Sequence, residues 1–233
     1  MSDIRNLIRA FFGSVLDFIY PPLCLCCGNL IGDGERNVCA GCWESLKRVE
    51  SDPTLFGQTR SKLLTSGVVD DLLSLYVFEK EGSFQRIIHA VKYSGTGSLG
   101  IDLGRRLGQK IKKHDVTADA LLPVPLHKRK LRERGYNQSE LIARGIADVA
   151  GIPVSADYVK RSKFTETQTT LSLEERRTNM ERAFTCNSPE VKGKTLILVD
   201  DVITTGATIV SCASVLKERG AARVIAVSVA LAS

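Results

Sequence analysis

The stretch KTLILVDDVITTGATIVS, Lys194 to Ser211, decides how the rest of the chain is read. Leu196 to Val199 is a continuous apolar run, too short for a helix, and predicts a strand buried on both faces. Asp200 and Asp201 stand at its carboxyl end. Thr204, Thr205, Gly206, Ala207 and Thr208 follow as a small, hydroxyl-rich turn, and Ile209 to Arg219 continues at helical spacing. Strand, acid pair, loop and helix start are the parts of a sugar-phosphate site. Backbone N–H groups of the loop and the positive helix terminus can hold a phosphate. Gly206 and Ala207 admit close backbone approach, and the threonines add hydroxyl donors. The two carboxylates can accept from vicinal ribose hydroxyls or face a hydrated Mg²⁺. In an open α/β sheet such a crevice lies beyond the carboxyl end of the strand.

Neither GxxxxGK[ST] nor GxGxxG is present, so this is not a Walker or dinucleotide loop. An ordinary buried strand with a polar turn accounts for the apolar run but leaves the acid pair unexplained. The chain has 233 residues, enough for one medium domain and a small appended one. Its 43% hydrophobic and 25% charged content is that of a soluble globular protein. The net charge of +6 is unevenly placed. Residues 1–60 hold six Lys/Arg against seven Asp/Glu, which leaves 26 against 19 for the remainder. Any basic surface therefore belongs to the larger domain, where it suits phosphates or nucleic acid, or is simply solvated.

No stretch reaches the length of a transmembrane helix. Within residues 1–20, Ile4, Leu7, Ile8, Phe11, Phe12, Val15, Leu16 and Ile19 fall at helical spacing with charges between them. This is an amphipathic helix rather than a signal peptide, and it suits packing on the protein itself or a membrane surface. The expected location is the cytoplasm. Pro21 and Pro22 end the helix. Cys24/Cys27 and Cys39/Cys42 then form two CxxC pairs separated by eleven residues, the spacing of a Cys₄ zinc knuckle. Disulfides compete with that reading but do not suit a cytosolic chain. Cys26 is a spare thiol that could replace Cys24, and Trp43 covers the knuckle. Metal should be the main stabiliser of so small a module.

The polar stretch Lys47 to Arg60 contains the domain boundary, giving domains of 1–60 and 61–233. Beyond it a strand is expected at Leu72 to Phe78. Helices are expected around Phe84 to Val91 and over Leu99 to Lys113, the second interrupted by glycines. His89 and His114 lack metal-ligand partners at the right spacing and read as structural or surface residues. Ala120 to Pro125 reads as a short strand running into a Pro-constrained loop. The basic run His127 to Tyr136 follows as a loop, a cradle for pyrophosphate or a contact for nucleic-acid phosphates. Asn137 starts a helix over Gln138 to Ala150, which Gly151 stops. A strand at Tyr158 to Lys163, a threonine-rich loop, a helix at Ser172 to Met180 and extended chain at Arg182 to Cys186 precede the acidic strand. Arg223 to Ala230 closes the sheet as a buried strand. Strands alternating with helices imply a parallel sheet with right-handed crossovers.

The Lys194 to Ser211 stretch resembles the phosphoribosyl-pyrophosphate (PRPP) motif of type I phosphoribosyltransferases. As a whole the chain resembles the ComF family (the ComFC and GntX type), phosphoribosyltransferase-like proteins linked to natural competence. The likeness rests on the Pro-Pro and CxxCG opening, Lys92-Tyr93, Pro123-Val124-Pro125, and Arg134-Gly135-Tyr136-Asn137-Gln138. Thr167-Gln168-Thr169, Arg176, Asn179, Phe184 and the PRPP motif extend it. It implies a role in DNA uptake more firmly than it implies a reaction. Purine-salvage members of the superfamily carry an aspartate where this chain has Thr204, which disfavours a 6-oxopurine acceptor.

Taken together, the expectation is an α/β protein with a type I phosphoribosyltransferase fold and a small N-terminal Cys₄ zinc module, binding Mg²⁺ and PRPP. Asp200 and Asp201 would be the catalytic pair, gripping the ribose hydroxyls with Mg²⁺. Thr204 to Thr208 would hold the 5-phosphate. Lys92, Pro125, Leu126 and Arg134 would face pyrophosphate. The rival reading is a non-catalytic nucleotide- or single-stranded-DNA-binding protein that uses the pocket and the basic run. A competence-machinery partner such as a ComF-type helicase would serve either reading.

Overall fold

A computed structural model describes residues 21–32, 34–161 and 183–232. The N-terminal amphipathic helix, and the loop and helix expected between Phe164 and Met180, lie outside the described residues. Two compact units divide between Leu46 and Lys47. The boundary thus falls at the start of the expected stretch rather than at residue 60. What reads as polar linker is ordered: a 3-10 turn over Val49–Ser51 and a helix over Pro53–Thr65. Asp52 caps that helix by accepting from Leu55 N–H, and Pro53 opens it, so the polar residues are start signals.

Among the described residues, the first unit is a knuckle closed by short bridges, Leu23 to Leu30 and Arg36 to Val38, and one helix, α1 (Ala40–Ser45). Trp43 on α1 is buried. The exposed Glu35 carboxylate accepts from Gly32 N–H at 2.9 Å and Ala40 N–H at 2.6 Å.

In the second unit the elements run α2 (Pro53–Thr65), β1 (Asp71–Phe78), α3 (Ser83–Tyr93), α4 (Gly97–Lys113) and β2 (Ala120–Pro123). After these come α5 (Lys128–Arg134), α6 (Gln138–Ala150), β3 (Val159–Arg161), β4 (Phe184–Cys186), β5 (Thr195–Ile203), α7 (Ala207–Glu218) and β6 (Arg223–Ala232). Strands β1-β6-β5-β2 form one parallel sheet in that order, and β3 with β4 forms a separate antiparallel pair. Leu196, Ile197, Leu198 and Val199 on β5 are fully buried, as are Val224, Ala226 and Val227 on β6. Helices cover both faces of such a sheet, so its central strands carry apolar residues at every position rather than at alternate ones.

Two sequence expectations change here. The glycines of α4 do not interrupt it. Gly100, Gly104 and Gly108, four residues apart, make one stripe that meets α6. A Cβ on Gly104 would lie 2.1 Å from the Ile142 carbonyl oxygen, and one on Gly145 would lie 2.1 Å from that of Ile101. The backbones touch, which requires glycine on both sides. The basic run is not a loop either. Lys128 to Arg134 is helix α5, capped by His127, whose Nδ1 accepts from Arg129 N–H at 3.2 Å, and ended by Gly135 at φ +78°.

Candidate functional site

Strand β5 continues to Ile203, so Asp200 and Asp201 lie within the strand rather than beyond its end, with Asp200 paired opposite Ser228. Adjacent strand residues point to opposite sides, so the two carboxylates find separate partners. The Asp200 Oδ1 accepts from Ser139 Oγ–H at 3.1 Å and from Asp201 N–H at 2.9 Å. Asp201, only 5% exposed, accepts from Val202 N–H at 2.8 Å through Oδ1. Its Oδ2 lies 2.8 Å from the Lys92 ammonium, an ion pair out of line for a hydrogen bond.

Lys92 thus pairs with Asp201 alone, and Asp200 is left to the Ser139 hydroxyl and a backbone N–H. Burial first, and the Asp201 charge second, push the Asp200 carboxyl up to about 8. A second cation would relieve that repulsion, and all the donors are carboxylate or hydroxyl oxygens, the set a hard divalent ion takes.

Beyond Ile203 the chain turns through Thr204 and Thr205 to Gly206, at φ +78°, which caps α7. Residues 202–209 with Asp200 line a small cup at the start of that helix. Gly206 is required twice. Its dihedral is left-handed, and a Cβ there would meet Leu63 Cδ2 at 2.7 Å. Leu63, 1% exposed on α2, is thus the floor of the loop.

The remaining expected residues reach the acid pair by different routes. Lys92, in the last turn of α3, touches Asp201 directly. Pro125 and Leu126 follow β2, whose end lies beside β5: Pro123 pairs with Val199, and Val124 N–H donates to the Val199 carbonyl at 2.9 Å. Arg134 does not touch the carboxylates. Its guanidinium stacks 5.1 Å over the Tyr93 ring and donates to Gln138 Oε1 at 2.9 Å.

Sequence reasoning missed what holds these parts together, the segment Tyr136 to Ser139. Tyr136 Oη–H donates to the Val91 carbonyl beside Lys92. Asn137 Nδ2–H donates to the Val124 carbonyl at 3.0 Å, while its Oδ1 caps α6 by accepting from Ser139 N–H. Ser139, 1% exposed, then reaches Asp200. Polar residues at a helix start read locally as a cap, and only the fold reveals their long-range partners.

In the knuckle, the ligand atoms of Cys24, Cys27, Cys39 and Cys42 all lie within 4.8 Å of one another, the Cys27 and Cys39 sulfurs at 3.9 Å. Tetrahedral zinc with Zn–S bonds of about 2.3 Å separates its sulfurs by roughly 3.8 Å, so the set fits. Cys24 Sγ accepts from Cys26 N–H and Cys39 N–H, both at 3.4 Å. Burial opposes ionisation of Cys24, but backbone donors from Cys39, Cys27 and Cys26 outweigh it and lower the thiol to about 6. Burial, then the Cys24 charge, raises Cys26 to about 11. The clustered ligand atoms are those of Cys24, Cys27, Cys39 and Cys42, and Cys26 is not among them. The group holds one structural zinc.

Comparison with known proteins agrees with both units. A phosphoribosyl transferase domain family model matches residues 137–232, and a double zinc ribbon domain model matches residues 15–54. Among the described residues, one four-cysteine group stands in that second segment. The chain is 34% identical to DNA utilization protein YhgH of Escherichia coli over 59% of its own length and 63% of that protein's. It is 38% identical to competence protein F of Haemophilus influenzae over 44% of this chain and 45% of the relative. Competence protein ComFC of Bacillus subtilis is 30% identical over 86% of this chain and 73% of the relative. The chain thus spans less than two thirds of the length of the first of these relatives.

The site geometry gives two expected outcomes. Protein purified without chelator carries one zinc per chain by elemental analysis, and Cys39→Ser removes it and unfolds the first unit; a metal-free wild type with a folded first unit would overturn this. The second concerns Asp200, whose carboxyl titrates near 4 in the unfolded chain and is raised to about 8 in the fold. Between those values the native state binds the extra proton, so stability falls as pH rises from about 4 to 8. Asp200→Asn has no such loss. Its melting temperature should rise relative to wild type across that window, and a constant gap from pH 4 to 9 would contradict the repulsion.

Proposed function

This chain belongs to the ComF family of phosphoribosyltransferase-like proteins, and we propose that it binds PRPP together with Mg²⁺ and serves DNA uptake in the cytoplasm. The observation that carries this reading is the unbalanced acid pair: two adjacent carboxylates, one lysine on Asp201, and a glycine-containing cup at the end of the same strand. Asp200 and Asp201 accept from the ribose 2- and 3-hydroxyls, and these two residues would also hold Mg²⁺, whose charge would neutralise the pyrophosphate. The N–H groups of Gly206, Ala207 and Thr208, with the threonine hydroxyls, take the 5-phosphate at the start of α7. The Val124 to Leu126 segment, fixed beside Val199, lines the pyrophosphate side, with Arg134 at the rim. Lys92, paired with Asp201, stands where it would face the pyrophosphate side.

The reaction class open to such a site is phosphoribosyl transfer. Pyrophosphate leaves C1 with the bonding electron pair, and a nitrogen nucleophile forms the new bond to the oxocarbenium-like carbon. The chain's contribution is positioning and charge. Helix α5 supports the DNA side of the proposal. Lys128, Arg129, Lys130 and Arg132 are all exposed on it, and only Arg129 is paired within the helix, to Glu133 at 2.9 Å. A strand of DNA, or a helicase that carries one, meets this face.

Asp200→Asn/Asp201→Asn keeps the side-chain volume and removes both charges. The double variant should fold yet lose Mg²⁺-dependent PRPP binding by about 1.5–3 kcal/mol per lost charged hydrogen bond. Calorimetric titration with and without Mg²⁺ reads this directly. Equal affinity in the two proteins would mean that the acid pair does not read a sugar phosphate.

A further inference from the structure

A cavity of about 700 Å³ opens at the amino end of β1, within the size range of small-molecule sites. Asp71 on its wall is level with Ile225 on β6, and Ile225 with Ile197 on β5, three residues before Asp200. It is therefore separate from the acid pair. Val49, Pro53, Phe56, Leu72 and Val116 give it apolar walls. A smaller cavity of about 230 Å³ adjoins it, lined by Arg48, Arg106 and Gln109 among others. Glu50, Lys110, Lys113 and His114 line both and form the common wall.

The charges of this wall are unevenly used. Arg60 is held by Asp71 at 2.9 Å. Lys110 is held by Glu50 at 2.5 Å and by the Ser74 carbonyl at 2.6 Å. Glu50 is the one carboxylate lining the smaller cavity, and Lys110 already occupies it. Arg48 and Lys113 form no salt bridge among the described residues, and Arg106 and His114 stand beside them. The smaller chamber is thus lined by more basic side chains than its one carboxylate balances, and it adjoins a larger chamber with apolar walls.

We propose that the two chambers together bind a nucleoside monophosphate, its base in the larger one against Phe56 and its phosphate in the smaller one. Neither half suits a simpler ligand. A bare phosphate leaves the apolar chamber unfilled, and a sugar phosphate places hydroxyls against Val49, Pro53 and Val116 without partners. A lipid chain meets the Arg60–Asp71 pair across its path. A flat base covers Phe56 with its face, and its edge N–H donors can reach the Asp71 carboxylate, which Arg60 engages through Oδ1. The site is independent of PRPP binding and goes beyond the function proposed above.

Equilibrium dialysis with each of the four ribonucleoside 5-monophosphates tests the proposal on the full chain. At least one should saturate at one site per chain in the presence of saturating Mg²⁺ and PRPP. Its affinity should be unchanged in Asp200→Asn/Asp201→Asn, which separates this site from the acid pair. Lys113→Glu, at an exposed position, should weaken it about tenfold or more. Inorganic phosphate should compete only weakly. Three results would overturn the proposal: no saturable binding by any of the four, binding lost with the acid pair but kept in Lys113→Glu, or inorganic phosphate binding as tightly as the nucleotide.

Discussion

Two adjacent acidic side chains on a buried strand, one pushed up to about 8 by burial and by its neighbour's charge, are the constraint on which this structure turns. Asp200 and Asp201 are side by side in β5, and one lysine faces them. Such a pair costs stability unless cations and donors surround it. The ligand-free fold meets that demand only in part, with Lys92 on one carboxylate and the Ser139 hydroxyl on the other. The pair stands one short turn before the start of α7.

The rest of the second unit keeps that arrangement in register. Ser139 must reach β5 from α6, and α6 is held against α4 by backbone contact at Gly104 and Gly145. Tyr136 and Asn137 bring the end of α3 and the segment after β2 to the same place. Helix α2 carries Leu63 beneath Gly206, so the loop after β5 rests on a buried side chain rather than on solvent. The knuckle is built on a different principle. Four cysteine ligand atoms within 4.8 Å of one another would tie it together through one metal ion.

Much of this was legible in the residues. An unbroken run such as Leu196 to Val199 has few readings besides a doubly covered strand, and the CxxC spacing names its metal geometry directly. Asn137 and Gly151 bound α6 where cap chemistry puts them. What escaped was set by tertiary contact. The glycines of α4 read as breaks because helix propensity is local, whereas their role is a stripe against another helix. The run from Lys128 to Arg134 has no apolar face and so no periodicity, yet caps at His127 and Gly135 make it helical. Residues 47–60 looked like linker because Asp52-Pro53 is turn chemistry, which also starts helices. The strand end misread at Val199 has the same origin. Acids are poor strand residues, and only the pairing with β6 carries β5 through them.

The central claim is that the acid pair and the loop after it hold a ribose phosphate. Amide NMR of uniformly ¹⁵N-labelled protein, titrated with PRPP in the presence and absence of Mg²⁺, tests it most directly. The account predicts saturable shifts at Asp201, Gly206, Ala207, Thr208 and Ser139, much larger with Mg²⁺ present. Shifts confined to α5 or to the amino end of β1, with the loop amides unmoved at saturation, would contradict it.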